Sequence, residues 1–192
     1  MREQDVFIRA EQALKHVVDQ IRDDQWGLTI PSETDDGSDK TLRETVNALA
    51  HDDAWTPDVL AGKTAAEVGD KYAGDLLGDD PRGAFAKLNA TAQDAARIFD
   101  DLDKIVHLSY GDYPAREYLK HITSYRGLSA WDVARLIGAD DKLPPDLVQG
   151  LWDQIIPEVE IWREMGVFGP EVEVPEDADL QTWLLGKTGR KA

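Results

Sequence analysis

The chain has 192 residues, 42% of them apolar and six of them tryptophan, enough for one full hydrophobic core and too apolar for a disordered segment. Against 21 basic residues stand 38 acidic ones, a formal charge of −17 that repels nucleic-acid backbones and anionic lipid. There is no cysteine, which excludes disulfides, thiolate metal sites and cysteine nucleophiles.

The opening MREQDVFIRAEQ lacks the apolar core of a signal peptide, and no apolar run approaches membrane-spanning length. A cytoplasmic protein with no membrane or nucleic-acid partner is expected. A first helix is predicted from about Gln4 to Asp24, with Val6, Ala10, Leu14, Val17, Val18 and Ile21 on one face. Trp26 follows as a plug for the end of the helix assembly. Residues 27–40 read as a loop. Thr41 and Glu44 have the spacing of a capping box, which opens a second helix running to about Trp55, where Pro57 interrupts it or opens a further turn.

Thr64 and Glu67 form another capping box, for a short helix reaching about Leu77, and Asp80-Pro81 suits the start of a longer one carrying Phe85, Leu88, Ala92, Ala95, Phe99 and Leu102. Lys104–Tyr113 reads as a connector without a sheet. Pro114 starts a central helix that Gly138 ends. A further helix restarts at Pro144-Pro145, is kinked at Pro157 and carries Leu147, Leu151, Ile155, Val159, Trp162 and Met165 as its stripe. In the tail, Trp183, Leu184 and Leu185 dock a short helix back onto the rest. Several amphipathic helices and few strand signals predict a single all-α domain over residues 1–192, a four-helix bundle with additional short helices and a packed C-terminal extension. Up-down-up-down packing with one long crossover is the simplest arrangement.

The central helix carries an unusual polar line. His121, Tyr125, Ser129 and Asp132 follow at steps of four, four and three, so they share one face. Polar groups on a helix that must also pack need partners, water or a ligand. Either Tyr125, Ser129 and Asp132 satisfy one another or backbone groups while His121 lies near solvent, or the line faces a cavity with His121 or Asp132 as proton acceptor and Tyr125 as donor. The Asp pairs at 35–36, 52–53, 79–80 and 140–141 read mostly as turn and cap residues. Neither a nucleophile elbow nor a glycine-rich phosphate loop occurs.

The segments DDQWGLTIP, TLRETVNALAHDDAWTPDVLAG, AWDVARLIG and GVFGPEVEVPEDADLQTWLLGKTGR resemble the DinB-like helical bundles, and more closely the branch that includes mycothiol-dependent maleylpyruvate isomerase. That resemblance implies a divalent metal held by a second-helix histidine and by two residues four apart on a later helix. Here the corresponding positions are Ala48, Tyr125 and Ser129, which are poor ligands for zinc or nickel. A displaced site at His51, Asp52 and His121 is the remaining arrangement for zinc or nickel; otherwise no cofactor is expected. Asp52, Trp55 and Trp131 are candidate cavity-lining residues. The expected function is a metal-free DinB-like protein that binds a small molecule or partner in its cavity, with homodimer formation open. The alternative is an enzyme, either a mycothiol-dependent isomerase or transferase or a metal-independent isomerase or cyclase using His121, Tyr125 and Asp132.

Overall fold

The computed structural model describes residues 1–30 and 39–192, so the Asp35–Asp36 pair and most of the loop expected at 27–40 lie outside the described residues. The helices in chain order are α1 (Glu3–Val18), α2 (Leu42–Ala61), α3 (Ala65–Val68), α4 (Pro81–Ile98), α5 (Ala115–Ile137), α6 (Pro145–Ile155), α7 (Val159–Glu164) and α8 (Leu180–Lys187). Two small antiparallel sheets accompany them: β1 (Thr29–Ile30) with β2 (Lys40–Thr41), and β3 (Ile105–Leu108) with β4 (Gly111–Pro114). The chain is mainly α.

Local chemistry sets most boundaries. Thr41 and Thr64 both close true capping boxes with Glu44 and Glu67, and the Asp80 side chain accepts from the Gly83 N–H. Gly138 ends α5 in the left-handed conformation, φ 70°. Four expectations need correction. First, α1 stops at Val18; Gln20 and Ile21 make tighter back-bonds, yet Ile21 stays buried beside Trp26. Second, α2 runs through Pro57 to Ala61, because burial of Val59 and Leu60 beyond it offsets the lost backbone bond. Third, α3 is one turn, not a helix to Leu77. The chain after it is tied by Asp58, which accepts from Lys63 Nζ at 2.7 Å, Lys71 Nζ at 2.9 Å and Tyr72 OH at 2.9 Å; these bonds hold its carboxyl well below the usual range. Fourth, 104–113 is not a plain connector. Val106 is fully buried in an otherwise half-exposed strand, and the two-residue turn Ser109-Tyr110 closes a hairpin onto the start of α5. In the α6–α7 stripe, a short 3-10 turn surrounds Pro157, and Met165 is exposed, unlike its predecessors.

Four long helices form the bundle. α1 packs on α5 and α4, and α4 packs on α2. Hydrogen bonds give the directions. The start of α1 meets the end of α4, through Gln4 Nε2 to Phe99 O, and Gln25 beyond α1 meets the end of α5, through its Nε2 to Ile137 O. Leu42 and Arg43 at the start of α2 bond to Leu28 and Trp26 just beyond α1. The order is therefore up-down-down-up, not up-down-up-down, because residues 62–80 carry the chain back along the bundle before α4 begins. α6 lies across α1 and α5 with a glycine on each close approach: a Cβ on Gly150 would meet Val6 at 2.8 Å and one on Gly127 would meet Leu151 at 2.6 Å. Leu184 and Leu185 of α8 complete this core.

At mid-bundle the core is polar. Arg126 of α5 is wholly buried, and its guanidinium donates to Glu11 of α1 (Nε–Oε1 3.1 Å), to Asp53 of α2 (Nη2–Oδ1 2.8 Å) and to the Leu49 carbonyl (3.3 Å). Glu11 and Asp53 are also wholly buried. Asn89 of α4 donates to Glu11, and Gln93 donates to Asn89 at 2.6 Å, so all four long helices join one network. The pair Asp52-Asp53 is thus no turn: it lies in mid-helix and faces a cation. Two carboxylates against one guanidinium would leave a buried negative charge. Burial, followed by repulsion from Asp53, pushes the Glu11 carboxyl well above its usual range. Asp53 is held through Oδ1 by Arg126, and its Oδ2 has no hydrogen-bond partner among the described residues.

Arg126→Met removes the cation and leaves Asp53 uncompensated; the expected loss is about 3–5 kcal/mol of unfolding free energy in urea denaturation. A loss below about 1 kcal/mol would show the network to be dispensable. The pH dependence follows from the sign of the Glu11 shift. Burial raises the Glu11 carboxyl above its unfolded value near 4.5, so this residue lowers stability progressively as pH rises above that value. Urea midpoints measured between about pH 5 and about pH 7 should show a flatter curve for Glu11→Gln than for the unmodified chain.

Candidate functional site

α2 and α5 are tied at two levels, by Arg126 and by a hydroxyl chain in which Tyr118 OH meets Thr56 Oγ1 at 3.0 Å and Thr56 donates to the Asp52 carbonyl. Beyond these ties the two helices leave a gap. The gap is a cleft of about 380 Å³, with the β3–β4 turn over it. α2 contributes His51, Asp52, Trp55 and Val59; α5 contributes Tyr118, His121, Ile122 and Tyr125; the hairpin contributes His107–Tyr110. Helical spacing on α2 places 51, 52, 55 and 59 on one face, and on α5 118, 121, 122 and 125 do the same. Each helix therefore gives one stripe to the cleft and an adjacent stripe to the core.

The polar groups are ordered by local bonds. His51 Nε2 accepts from the Trp55 indole N–H at 3.0 Å, which leaves the proton of the neutral ring on Nδ1, 3.6 Å from Asp52 Oδ1. The other Asp52 oxygen lies 3.4 Å from Arg126 Nη1. Asp52 therefore connects the buried network to the cleft. His121 Nδ1 lies 3.3 Å from Tyr110 OH, and burial lowers the His121 pKa, against the opposing pull of Glu117 and Glu158. Burial pushes the Tyr110 phenol up to about 12 and raises Tyr118 and Tyr125 as well. At neutral pH the cleft presents neutral phenols, a neutral His121, aromatic faces and the Asp52 carboxylate.

The polar line of α5 splits. His121 and Tyr125 stand on the wall of the cleft, with Tyr125 47% exposed. Ser129 is buried in the packed part of the helix. Asp132 is bound from the tail by Arg190, with Nε–Oδ1 at 3.0 Å and Nη2–Oδ2 at 2.9 Å, and does not join the other two. Tyr125, Ser129 and Asp132 thus do not satisfy one another. Asp52 and Trp55 line the cleft as expected for cavity residues, whereas Trp131 is core, with Arg135 over its ring at 5.1 Å. Ala48 is exposed on α2, outside the lining. Among the described residues, no three His, Asp or Glu side chains come within reach of one cation. His107 pairs instead with Asp112, Nδ1–Oδ1 2.8 Å. No helix among the described residues is long and apolar enough to cross a membrane.

The sequence reading missed Arg126, Glu11 and Asp53. Their signal was present: Phe7, Glu11, Leu14 and Val18 keep the spacing of a buried stripe, as do Val46, Leu49 and Asp53, and Leu119, Arg126, Ala130 and Val133. A charge at an apolar position on each of three helices marks a shared buried cluster.

The His121 titration followed by proton NMR should have its midpoint below the ordinary histidine value, and Glu117→Gln should lower it further by removing the nearest stabilising carboxylate. A midpoint at or above the ordinary value would mean that the ring is open to solvent. Comparison with family models, with curated protein sequences and with solved structures found no match to this chain.

Proposed function

We propose that this chain binds a small, largely aromatic molecule between α2 and α5, as a DinB-like bundle that works without the family's metal. The cleft carries the reading: about 380 Å³ of concave space lined by Trp55, Tyr110, Tyr118 and Tyr125, with Asp52 and three histidines as its polar handles. Such a lining accepts a planar ring and orients it through a hydrogen bond to Asp52. The resemblance supports the same location, since the family's site lies between the second helix and a later one.

The donor set does not fit a zinc or nickel ion. Ala48 offers no donor atom, Ser129 is a neutral hydroxyl inside the packing, and Tyr125 is a phenol, neutral at ordinary pH. The neighbouring carboxylates of α2 already face a fixed cation, Arg126. At the displaced set, His51 Nε2 is occupied by Trp55 and His121 faces Tyr110.

Benzimidazole is a suitable probe, being planar with one N–H donor and one acceptor. Its addition should shift the backbone amide signals of 51–59, 107–110 and 118–125, and Trp55→Ala should weaken binding about tenfold, the worth of one good aromatic contact. Shifts elsewhere, or an unchanged affinity in Trp55→Ala, would reject this cleft as the site. Metal analysis of protein purified without chelator is expected to find no stoichiometric zinc or nickel; one tightly held ion per chain would overturn the metal-free reading.

A further inference from the structure

The opposite side of the His121–Tyr125 wall carries a second and larger cleft, about 610 Å³, between α5 and the segment from Glu158 to Phe168. Its α5 bank runs from Glu117 to Leu128, roughly 16 Å at the helical rise. Three features set its chemistry. Its walls are aromatic: Tyr113 meets His121 at 5.4 Å between ring centres, His121 meets Trp162 at 5.7 Å, and Trp162 meets Phe168 at 5.5 Å. The far bank is apolar and open, with Ile161, Met165 and Val167 all more than half exposed. At one end stand two carboxylates, Glu117 and Glu158, which share a single ammonium group, Lys120 at 2.9 Å and 3.9 Å. Two negative charges and one positive leave this end with one net negative charge. The other cation in the lining, Arg190, is already neutralised by Asp132.

We propose that this second cleft binds an amphipathic organic cation, its ammonium group between the aromatic faces and the Glu117–Glu158 end, and its apolar body along Leu128, Ile161 and Met165. Ring faces attract a cation through their quadrupole, and attraction grows when the ion is partly desolvated, as a quaternary ammonium readily is. Neutral His121 adds no opposing charge. The net charge of −17 favours approach of a cation and disfavours a carboxylate or phosphate ligand of the same shape. This site shares Tyr110, His121 and Tyr125 with the α2–α5 cleft but has its own far bank and its own ligand class, so either can fail alone.

The test compares three probes of equal chain length, hexyltrimethylammonium, hexanol and hexanesulfonate, by calorimetry and amide NMR. The cation is expected to bind at least about tenfold tighter than the sulfonate and several-fold tighter than the alcohol, with shifts in 117–128 and 158–168. Glu158→Gln should weaken the cation about threefold and leave hexanol unchanged, whereas Asp94→Asn, on the exposed face of α4, should change neither. Trp162→Leu keeps an apolar, though smaller, side chain and removes the ring face, and should weaken the cation roughly five- to tenfold. Tyr113→Leu serves the same purpose at a half-buried position if the Trp162 variant does not fold. Equal binding of hexanol and the cation, indifference to Glu158→Gln, or shifts confined to 51–59 would overturn the proposal.

Discussion

One guanidinium holds this bundle in register. Arg126 takes a carboxylate from α1 and another from α2, and through Glu11 it reaches Asn89 and Gln93 of α4. A buried ion pair is weak evidence of net stability, because desolvation of both partners offsets much of their attraction. Its effect on structure is different. With Glu11, Asp53 and Arg126 all out of water, any slide of one helix by a turn would strand a charge at a cost of several kcal/mol, on the order of the whole margin of a folded domain. Apolar side chains alone tolerate such slides; a three-way polar junction does not. The parallel pair α1 and α5 is therefore locked to α2 and α4 at one depth.

The clefts follow from that lock. α2 and α5 are drawn together at Arg126 and at the Thr56–Tyr118 bond, and the hairpin inserts Val106 beneath them. Space remains above, on the side where each helix turns its next stripe outward. His121 and Tyr125 of α5, with Tyr110 of the hairpin turn, form a partition between two concavities. Most of their neighbours are rings, the phenols are uncharged at neutral pH, and burial disfavours charge on His121. Charge enters at the margins, Asp52 on one side and Glu117 with Glu158 on the other, with Arg190 paired to Asp132. A site so arranged selects ligands by ring stacking and by the sign of charge. It has no group poised as a strong nucleophile.

Much of the fold was legible in the chain. The capping boxes at Thr41 and Thr64, the Asp80-Pro81 start and the Gly138 stop are local devices, each settled by atoms within four residues, and local chemistry reads well from sequence. What was not legible depended on distant partners. Pro57 looks like a terminator until Val59 and Leu60 find a core to enter. The 105–114 hairpin has strands of four residues, too short for their alternation to stand out, and is stabilised by packing Val106 under the bundle. The direction of α4 was set by residues 62–80, whose irregular path is held by Asp58 and by Arg43 and Asn47 from α2. None of these long-range bonds has a periodic trace.

At the candidate site the reading fell short by a single helical step. The polar line through His121, Tyr125, Ser129 and Asp132 was real as a face, but a face is about 100° of rotation per residue, and the decisive group was the next residue, Arg126. The line looked outward into solvent-facing clefts at His121 and Tyr125, inward at Ser129 and across to the tail at Asp132. Positions 48, 125 and 129 are where a cation would have to be bound from outside. The chain carries its own, on the adjacent stripe, and the carboxylates that meet it, Glu11 and Asp53, sit where the spacing calls for leucine. An arginine, a glutamate and an aspartate at apolar positions of three different helices can be reconciled with a packed core only if they meet. Charged residues that break a hydrophobic period therefore say more about how helices pair than those that respect it.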